Sequence, residues 1–73
     1  MSHIQAVLFP KDRWTITETK KFLSNHNIIP IKNPRETKNF YRYRIEEPEN
    51  FKYMRTKKLQ NSNGIEFVLG YNN

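Results

Sequence analysis

The chain has 73 residues, a formal net charge of +6 and no cysteine. A domain of about this size buries only about 60% of the surface that its unfolded chain exposes, so we expect one small core. The lack of cysteine excludes a disulfide framework and a zinc–thiolate site, which leaves oligomerisation as a source of further stability. Neither an apolar run of about 20 residues nor a signal-peptide pattern is found, which predicts a soluble protein with no membrane partner.

The start of the chain predicts a strand followed by a helix. Residues 4–9 are apolar and partly β-branched and are followed by Pro10, as expected for a first strand. Residues 11–13 form a polar turn. Thr15 and Glu18 have the spacing of a capping box, so a helix is predicted to begin there. Its apolar stripe, at the spacing of one helix face, consists of Thr19, Phe22, Leu23 and His26.

The middle of the chain predicts a helix end and two strands. Residues 25–27 (Asn-His-Asn) end the helix, because asparagine tolerates the left-handed conformation that follows many helices. Residues 28–31 are predicted as a short strand, weakened by a proline, and residues 33–39 as a connecting loop. Residues 39–46 are predicted as the long central strand.

The last third predicts two more strands. Residues 48–51 form a turn in which Phe51 is the anchor, and residues 52–59 extend again. Residues 60–64 (Gln-Asn-Ser-Asn-Gly) are a strong turn, and residues 65–69 alternate as a final strand that the following glycine closes. This order predicts an α+β fold, a single small domain with one amphipathic helix packed on a mostly antiparallel β-sheet.

The predicted central strand interleaves aromatic and cationic side chains at a period of two residues. Side chains alternate across a strand, so Tyr41 and Tyr43 are expected on one face and Arg42 and Arg44 on the other. A packed core would leave that arginine pair with water or an anion. We therefore expect a partner of negative charge, which the net charge leaves open as nucleic acid, a phosphorylated ligand or an acidic protein surface.

A second basic run, residues 52–58, contains no carboxylate. Arginine forks pair with phosphate in a bidentate manner and lysines add point charges, so a sheet face that carries both runs would follow a nucleic-acid backbone. The residues predicted to bind nucleic acid are Arg42, Arg44, Arg55, Lys57 and Lys58. The aromatic residues that would stack on unpaired bases, if exposed, are Phe40, Tyr43 and Tyr53.

Each of these features has a structural alternative. Tyr41 and Tyr43 are favoured as core residues, and Trp14, beside the helix start, as a lid on that core. The arginines would alternatively be solvated or pair with carboxylates of the same chain. Those carboxylates belong to Glu36, Glu46, Glu47, Glu49 and Glu66.

The sequence does not indicate an enzyme. The two histidines, His3 and His26, have no carboxylate at ligand spacing and no cysteine near them, so no metal site is expected. The serines lack an adjacent base, and neither glycine belongs to a phosphate-binding loop. We expect a non-enzymatic protein without a cofactor, in which His26 has a packing or helix-dipole role.

An ordered set of short motifs is similar to a domain found in large DNA viruses and tailed phages. The motifs are Trp14-Thr15, Phe22-Leu23 with His26, Tyr41-x-x-Arg44, Pro48-x-x-Phe51, Arg55-Thr56-Lys57 and Gly64-Ile65 with Gly70. Among these proteins the chain most resembles the small virion-associated proteins of the marseillevirus group, over residues 5–70. The chain has Asn27 where that group usually has glycine. It has Ile45 where a polar residue is common, which weakens the transfer of any polar site beyond Arg44.

The resemblance implies a non-enzymatic protein packaged in a virion and present in the host cytoplasm or nucleus during infection. Together with the basic strands, it leads to the hypothesis of an accessory protein that binds DNA or RNA without sequence preference. The second hypothesis is a structural or interaction protein, a homodimer that contacts virion or host proteins. Its basis is the small core and the exposed strand edges, which can pair with another chain.

Overall fold

The computed structural model describes residues 2–72, which form an α-helix and a five-stranded sheet. The elements in chain order are β1 (Ser2–Pro10), α1 (Ile16–Asn25), β2 (Arg35–Glu36), β3 (Phe40–Arg44), a 3₁₀ turn (Pro48–Asn50), β4 (Tyr53–Lys58) and β5 (Glu66–Tyr71). The strand order is β2-β3-β1-β5-β4 and each neighbouring pair is antiparallel. One helix on an antiparallel sheet confirms the predicted α+β class. Within residues 2–72, no helix has the length and apolar character needed to cross a membrane.

The central strand β1 defines two faces of the sheet. Val7 and Phe9 are fully buried against Leu23 of α1, and we call this side the helix face. Ala6 and Leu8 alternate with them and define the outer face. Residues directly opposite each other on neighbouring strands share a face. The strand register therefore shows on which face each residue of the remaining strands lies.

The capping box forms as predicted. The Glu18 backbone N–H donates to Thr15 Oγ1 at 3.2 Å, and the Thr15 backbone N–H donates to Glu18 Oε1 at 2.9 Å. Asn27 has a φ of 56° and ends the helix in the left-handed conformation. His26 lies exposed at the helix end with its ring stacked on Phe22, at 4.1 Å between centroids. His26 thus packs on Phe22 but does not join the buried part of the predicted apolar stripe, which consists of Thr19 and Leu23.

Aromatic rings make up much of the core. The Phe9 ring has edge-on contacts with Trp14 at 5.1 Å, Phe22 at 5.6 Å and Tyr43 at 5.6 Å. Trp14 Nε1 also donates to the Asn63 backbone oxygen at 3.0 Å, which ties the helix start to the last hairpin. The structure therefore confirms Trp14 as a lid on the core and Tyr43 as a core residue.

Three predictions for the middle of the chain are wrong. Residues 28–31 form no strand, because Pro30 has no N–H for a ladder and Ile29 is 80% exposed. The second strand, β2, instead lies inside the predicted loop 33–39. The central strand is β1 rather than residues 39–46, of which only Phe40–Arg44 is extended. Chain order alone does not fix strand order in a sheet.

The final hairpin forms as predicted. Asn63 and Gly64 have φ values of 59° and 89°, which the turn requires. β5 spans Glu66–Tyr71, so it starts one residue later and ends two residues later than the predicted strand 65–69. A Cβ on Gly70 would overlap the ring of Phe51, so the anchoring role predicted for Phe51 depends on glycine at this position.

Candidate nucleic-acid interface

The register places three of the five predicted binding residues on the outer face. Arg42 lies opposite Leu8 and Arg44 opposite Ala6, so both arginines point away from the helix. Tyr43 between them is buried in the core, as the two-residue period predicted. On the far edge strand, Lys58 also points to the outer face, where it lies opposite Glu66.

The other two predicted residues lie on the helix face. Arg55 is opposite Leu69, and Lys57 is opposite Phe67, which in turn is opposite the core residue Val7. The expectation of one basic face is therefore wrong. Strands β3 and β4 are also separated by β1 and β5, which puts about 14 Å between their backbones.

β2 adds a cation that no sequence pattern indicated. Arg35 lies directly opposite Arg42 in the antiparallel β2–β3 pair. A pocket of about 220 Å³ opens beside them on the outer face, and we call it the arginine pocket. It is lined by Lys32, Asn33, Arg35, Arg42 and Arg44.

The arginine pocket carries an excess of positive charge. Arg44 Nη1 lies 3.5 Å from Glu47 Oε2, with both side chains partly exposed. Within residues 2–72, no carboxylate lies within 4 Å of the cationic groups of Lys32, Arg35 or Arg42. Like charges directly opposite each other on two strands destabilise a sheet. A bound anion would remove that repulsion, and arginine forks favour phosphate or carboxylate.

Gln5 holds Arg42 in place. It is the extra residue of a bulge between Ile4 and Ala6, and it is fully buried. Its Nε2 donates to the Glu46 backbone oxygen at 2.9 Å, which aims Oε1 at Arg42, whose Nη2 donates to it at 3.5 Å. A glutamine inside an otherwise apolar strand was the sequence signal for this role.

Lys32 and Arg35 had no comparable signal in the sequence. Both fall in a stretch with two prolines and no alternation, which is typical of a loop. They reach the pocket because the Ile31 backbone N–H donates to the Arg44 backbone oxygen at 2.9 Å, so this segment follows the edge of β3. Only the tertiary pairing reveals that contact.

A second basic surface lies on the helix face at the opposite edge of the sheet. The rings of Tyr53 and Tyr71 stack at 5.0 Å between centroids and 8° between planes. The Arg55 guanidinium carbon lies 5.9 Å from the Tyr53 ring centroid. We call Tyr53, Arg55, Lys57 and Tyr71 the β4 patch. Every residue of β4 is exposed, because the core that α1 covers involves β1, β3 and the start of β5.

The structure also separates the aromatic residues proposed to stack on bases. Tyr43 is 1% exposed, and its hydroxyl lies 2.5 Å from Thr19 Oγ1, so it contributes to the core instead. Phe40 is half-buried. Tyr53 is 41% exposed, the most exposed of the three, and its ring stacks on Tyr71.

The described residues contain no group of three or more histidine, cysteine, aspartate or glutamate side chains placed to hold a metal ion. His3 Nδ1 lies 3.9 Å from Glu46 Oε2, an exposed pair. Ser62 Oγ donates to the Leu59 backbone oxygen and accepts from the Ile65 backbone N–H, so it stabilises a turn.

Comparisons with known proteins give no further indication of the site. No protein-family model matches the chain, and neither a curated protein nor a solved structure matches it. The viral resemblance of the short motifs therefore stays a prediction, and function has to be inferred from the residues themselves.

Proposed function

We propose that this protein is a non-enzymatic accessory protein that binds nucleic acid, DNA or RNA, through the arginine pocket and without sequence preference. The observation that supports the proposal is the Arg35–Arg42 pair, which lies beside Lys32 with no carboxylate within 4 Å among residues 2–72. The virion, with the host cytoplasm or nucleus during infection, is the setting proposed from the motif resemblance.

The chemistry of the pocket fits a phosphate backbone. The Arg35 and Arg42 forks each offer parallel N–H donors to phosphate oxygens, while Lys32 adds a charge without fixed geometry. Phosphate contacts fix the position of a nucleic acid and do not read its sequence.

The test is fluorescence anisotropy of labelled single- and double-stranded oligonucleotides, titrated with protein over a range of salt concentrations. Because counterions are released when cations neutralise phosphates, the logarithm of the binding constant is expected to fall linearly with the logarithm of salt concentration. Arg35→Gln and Arg42→Gln should each make this negative slope shallower by about 1, because each variant loses one phosphate contact.

Lys21→Gln is the matched control, since Lys21 is an exposed cation on the helix and removing it changes the charge by the same amount. It should leave the slope unchanged. No binding at low salt, or binding that does not respond to salt, would contradict the proposal.

A second candidate function is that of an interaction protein that acts as a homodimer and contacts virion or host proteins. The observation that favours it is β4, an exposed edge strand that pairs only with β5. Charge repulsion disfavours dimerisation through this edge. Two copies of β4 side by side would bring together six cations, from Arg55, Lys57 and Lys58 of each copy.

Sedimentation velocity over a range of protein concentrations tests the dimer, and a monomer at all concentrations removes it. Arg42→Glu combined with Arg44→Glu separates the two candidate functions. Loss of oligonucleotide binding by a folded variant supports the first function. Assembly through β4, which neither substitution touches, should persist in this variant if the second function holds.

A further inference from the structure

We infer that a single copy of this protein bridges two nucleic-acid duplexes, one held at the arginine pocket and the other at the β4 patch. This inference rests on the proposed function and assigns a second binding surface to it. Its basis is that the structure divides the cations between two edges and two faces of the sheet.

The two surfaces point in different directions. The arginine pocket lies on the outer face at the β2–β3 edge, and the β4 patch lies on the helix face at the β4 edge. The backbones of β3 and β4 are about 14 Å apart across the sheet, with β2 one strand further away, and the sheet itself separates the side chains of the two surfaces. A ligand that contacts one surface therefore does not cover the other.

The β4 patch has the properties of an anion-binding surface. Arg55 and Lys57 are exposed neighbours on one face, and no carboxylate lies within 4 Å of either among residues 2–72. Tyr53, stacked on Tyr71, gives the Arg55 guanidinium an aromatic surface to lie on. This support lowers the side-chain entropy that Arg55 loses when it binds a phosphate.

The stiffness of a duplex excludes binding of one molecule at both surfaces. DNA has a persistence length of about 50 nm, so a short duplex is straight on the scale of this protein. The largest dimension of the protein is 34 Å. A duplex that lies along the outer face cannot turn around the sheet edge to reach the helix face, so the β4 patch stays available to a second duplex.

The test combines binding and proximity in one sample. Donor-labelled and acceptor-labelled copies of one short duplex are mixed with protein, and anisotropy reports binding while energy transfer reports bridging. Wild-type protein should give both signals. Two double variants each remove one surface: Arg35→Gln with Arg42→Gln, and Arg55→Gln with Lys57→Gln. Each variant should still bind, with anisotropy that saturates at a higher protein concentration than for the wild type, but should give no energy transfer.

Lys21→Gln with Lys38→Gln provides the control, because it removes the same charge from exposed positions that line neither surface. It should keep energy transfer, which excludes general charge neutralisation as the cause of bridging. Circular dichroism of each variant verifies the fold.

The outcomes separate this inference from the proposed function. Wild-type protein that binds in anisotropy without energy transfer at any ratio overturns the inference and leaves the proposed function intact. Energy transfer that survives loss of either surface also overturns it, since a dimer that uses one surface twice would behave in this way. Wild-type protein without any binding overturns both.

Discussion

Arg35 and Arg42 lie directly opposite each other on β2 and β3, two arginines in one cross-strand pair. Such a pair of like charges costs stability in the absence of an anion. Lys32 and Arg44 line the same pocket and add to the repulsion. The β2–β3 pair is thus less stable than it would be with a neutral residue opposite Arg42. The same cluster of positive charge favours a bound phosphate.

Arg35→Gln should raise the free energy of unfolding at low ionic strength by about 0.2–1 kcal/mol, because it removes the charge opposite Arg42. Inorganic phosphate should stabilise the wild-type protein and have a smaller effect on the variant, since ligand binding to the folded state adds about 2.7 kcal/mol at 100 times Kd. Thermal unfolding with and without phosphate measures both effects.

Sodium chloride at equal ionic strength is the control for this experiment, because it screens charge without supplying a bidentate acceptor. Equal stabilisation of the wild-type protein by phosphate and chloride would show that the pocket does not bind the anion. Lys21→Gln should behave like the wild-type protein in both salts.

Tyr43→Phe should lower the free energy of unfolding by about 1 kcal/mol. Thr19 Oγ1 donates to the Ile16 backbone oxygen at 2.7 Å, so the Tyr43 hydroxyl is the donor in its 2.5 Å contact with Thr19. Both residues are buried, and the variant leaves Thr19 Oγ1 without that donor. Tyr41→Phe, at a half-buried ring on the same strand, should have a smaller effect in urea denaturation. Equal losses for the two variants would contradict the assignment.

Gly70→Ala should destabilise the protein by about 1–3 kcal/mol, because the new Cβ would overlap the ring of Phe51. In a Phe51→Ala background the same change should cost less, since the overlapping ring is gone. Urea denaturation of the wild-type protein, both single variants and the double variant gives the coupling energy. A coupling energy near zero would show that Phe51 does not restrict position 70.

Thr15→Ala should lower the free energy of unfolding by about 1 kcal/mol, because it removes the hydroxyl that accepts from the Glu18 backbone N–H. Thr17→Ala, at an exposed position in the first turn of α1, is the comparison. It removes a β-branched side chain without removing a cap and should be neutral or slightly stabilising. Denaturation midpoints and helix content by circular dichroism measure both variants.

The local features of the fold followed from the sequence because each depends on residues that are close in the chain. Thr15 and Glu18 are three residues apart, and their reciprocal hydrogen bonds form within one helical turn. The turn at Asn63 and Gly64 depends on the ease with which those two residues adopt positive φ. The burial of Tyr43 between two outward-pointing arginines followed from the period of a strand.

The prediction that Arg55, Lys57 and Lys58 share one basic face is wrong, and the sequence alone was sufficient to exclude it. Lys57 and Lys58 are neighbours in one strand, and neighbours in a strand point to opposite faces. Arg55 shares a face with Lys57 and not with Lys58 for the same reason. The two-residue period of a strand, applied strictly to residues 52–58, is therefore sufficient to separate these cations.

The sequence by itself determined the fold class, the helix with its cap, the hairpin turn and the alternation of Tyr41 to Arg44, because all of these are set by interactions within a few residues. Tertiary structure alone decided that β1 is central, that Arg35 lies opposite Arg42, and that β1 and β5 separate β3 from β4. Those relationships depend on strand order and register. Burial of one face of each strand in a shared core sets both, since a shift of one residue would turn the apolar side chains out of that core.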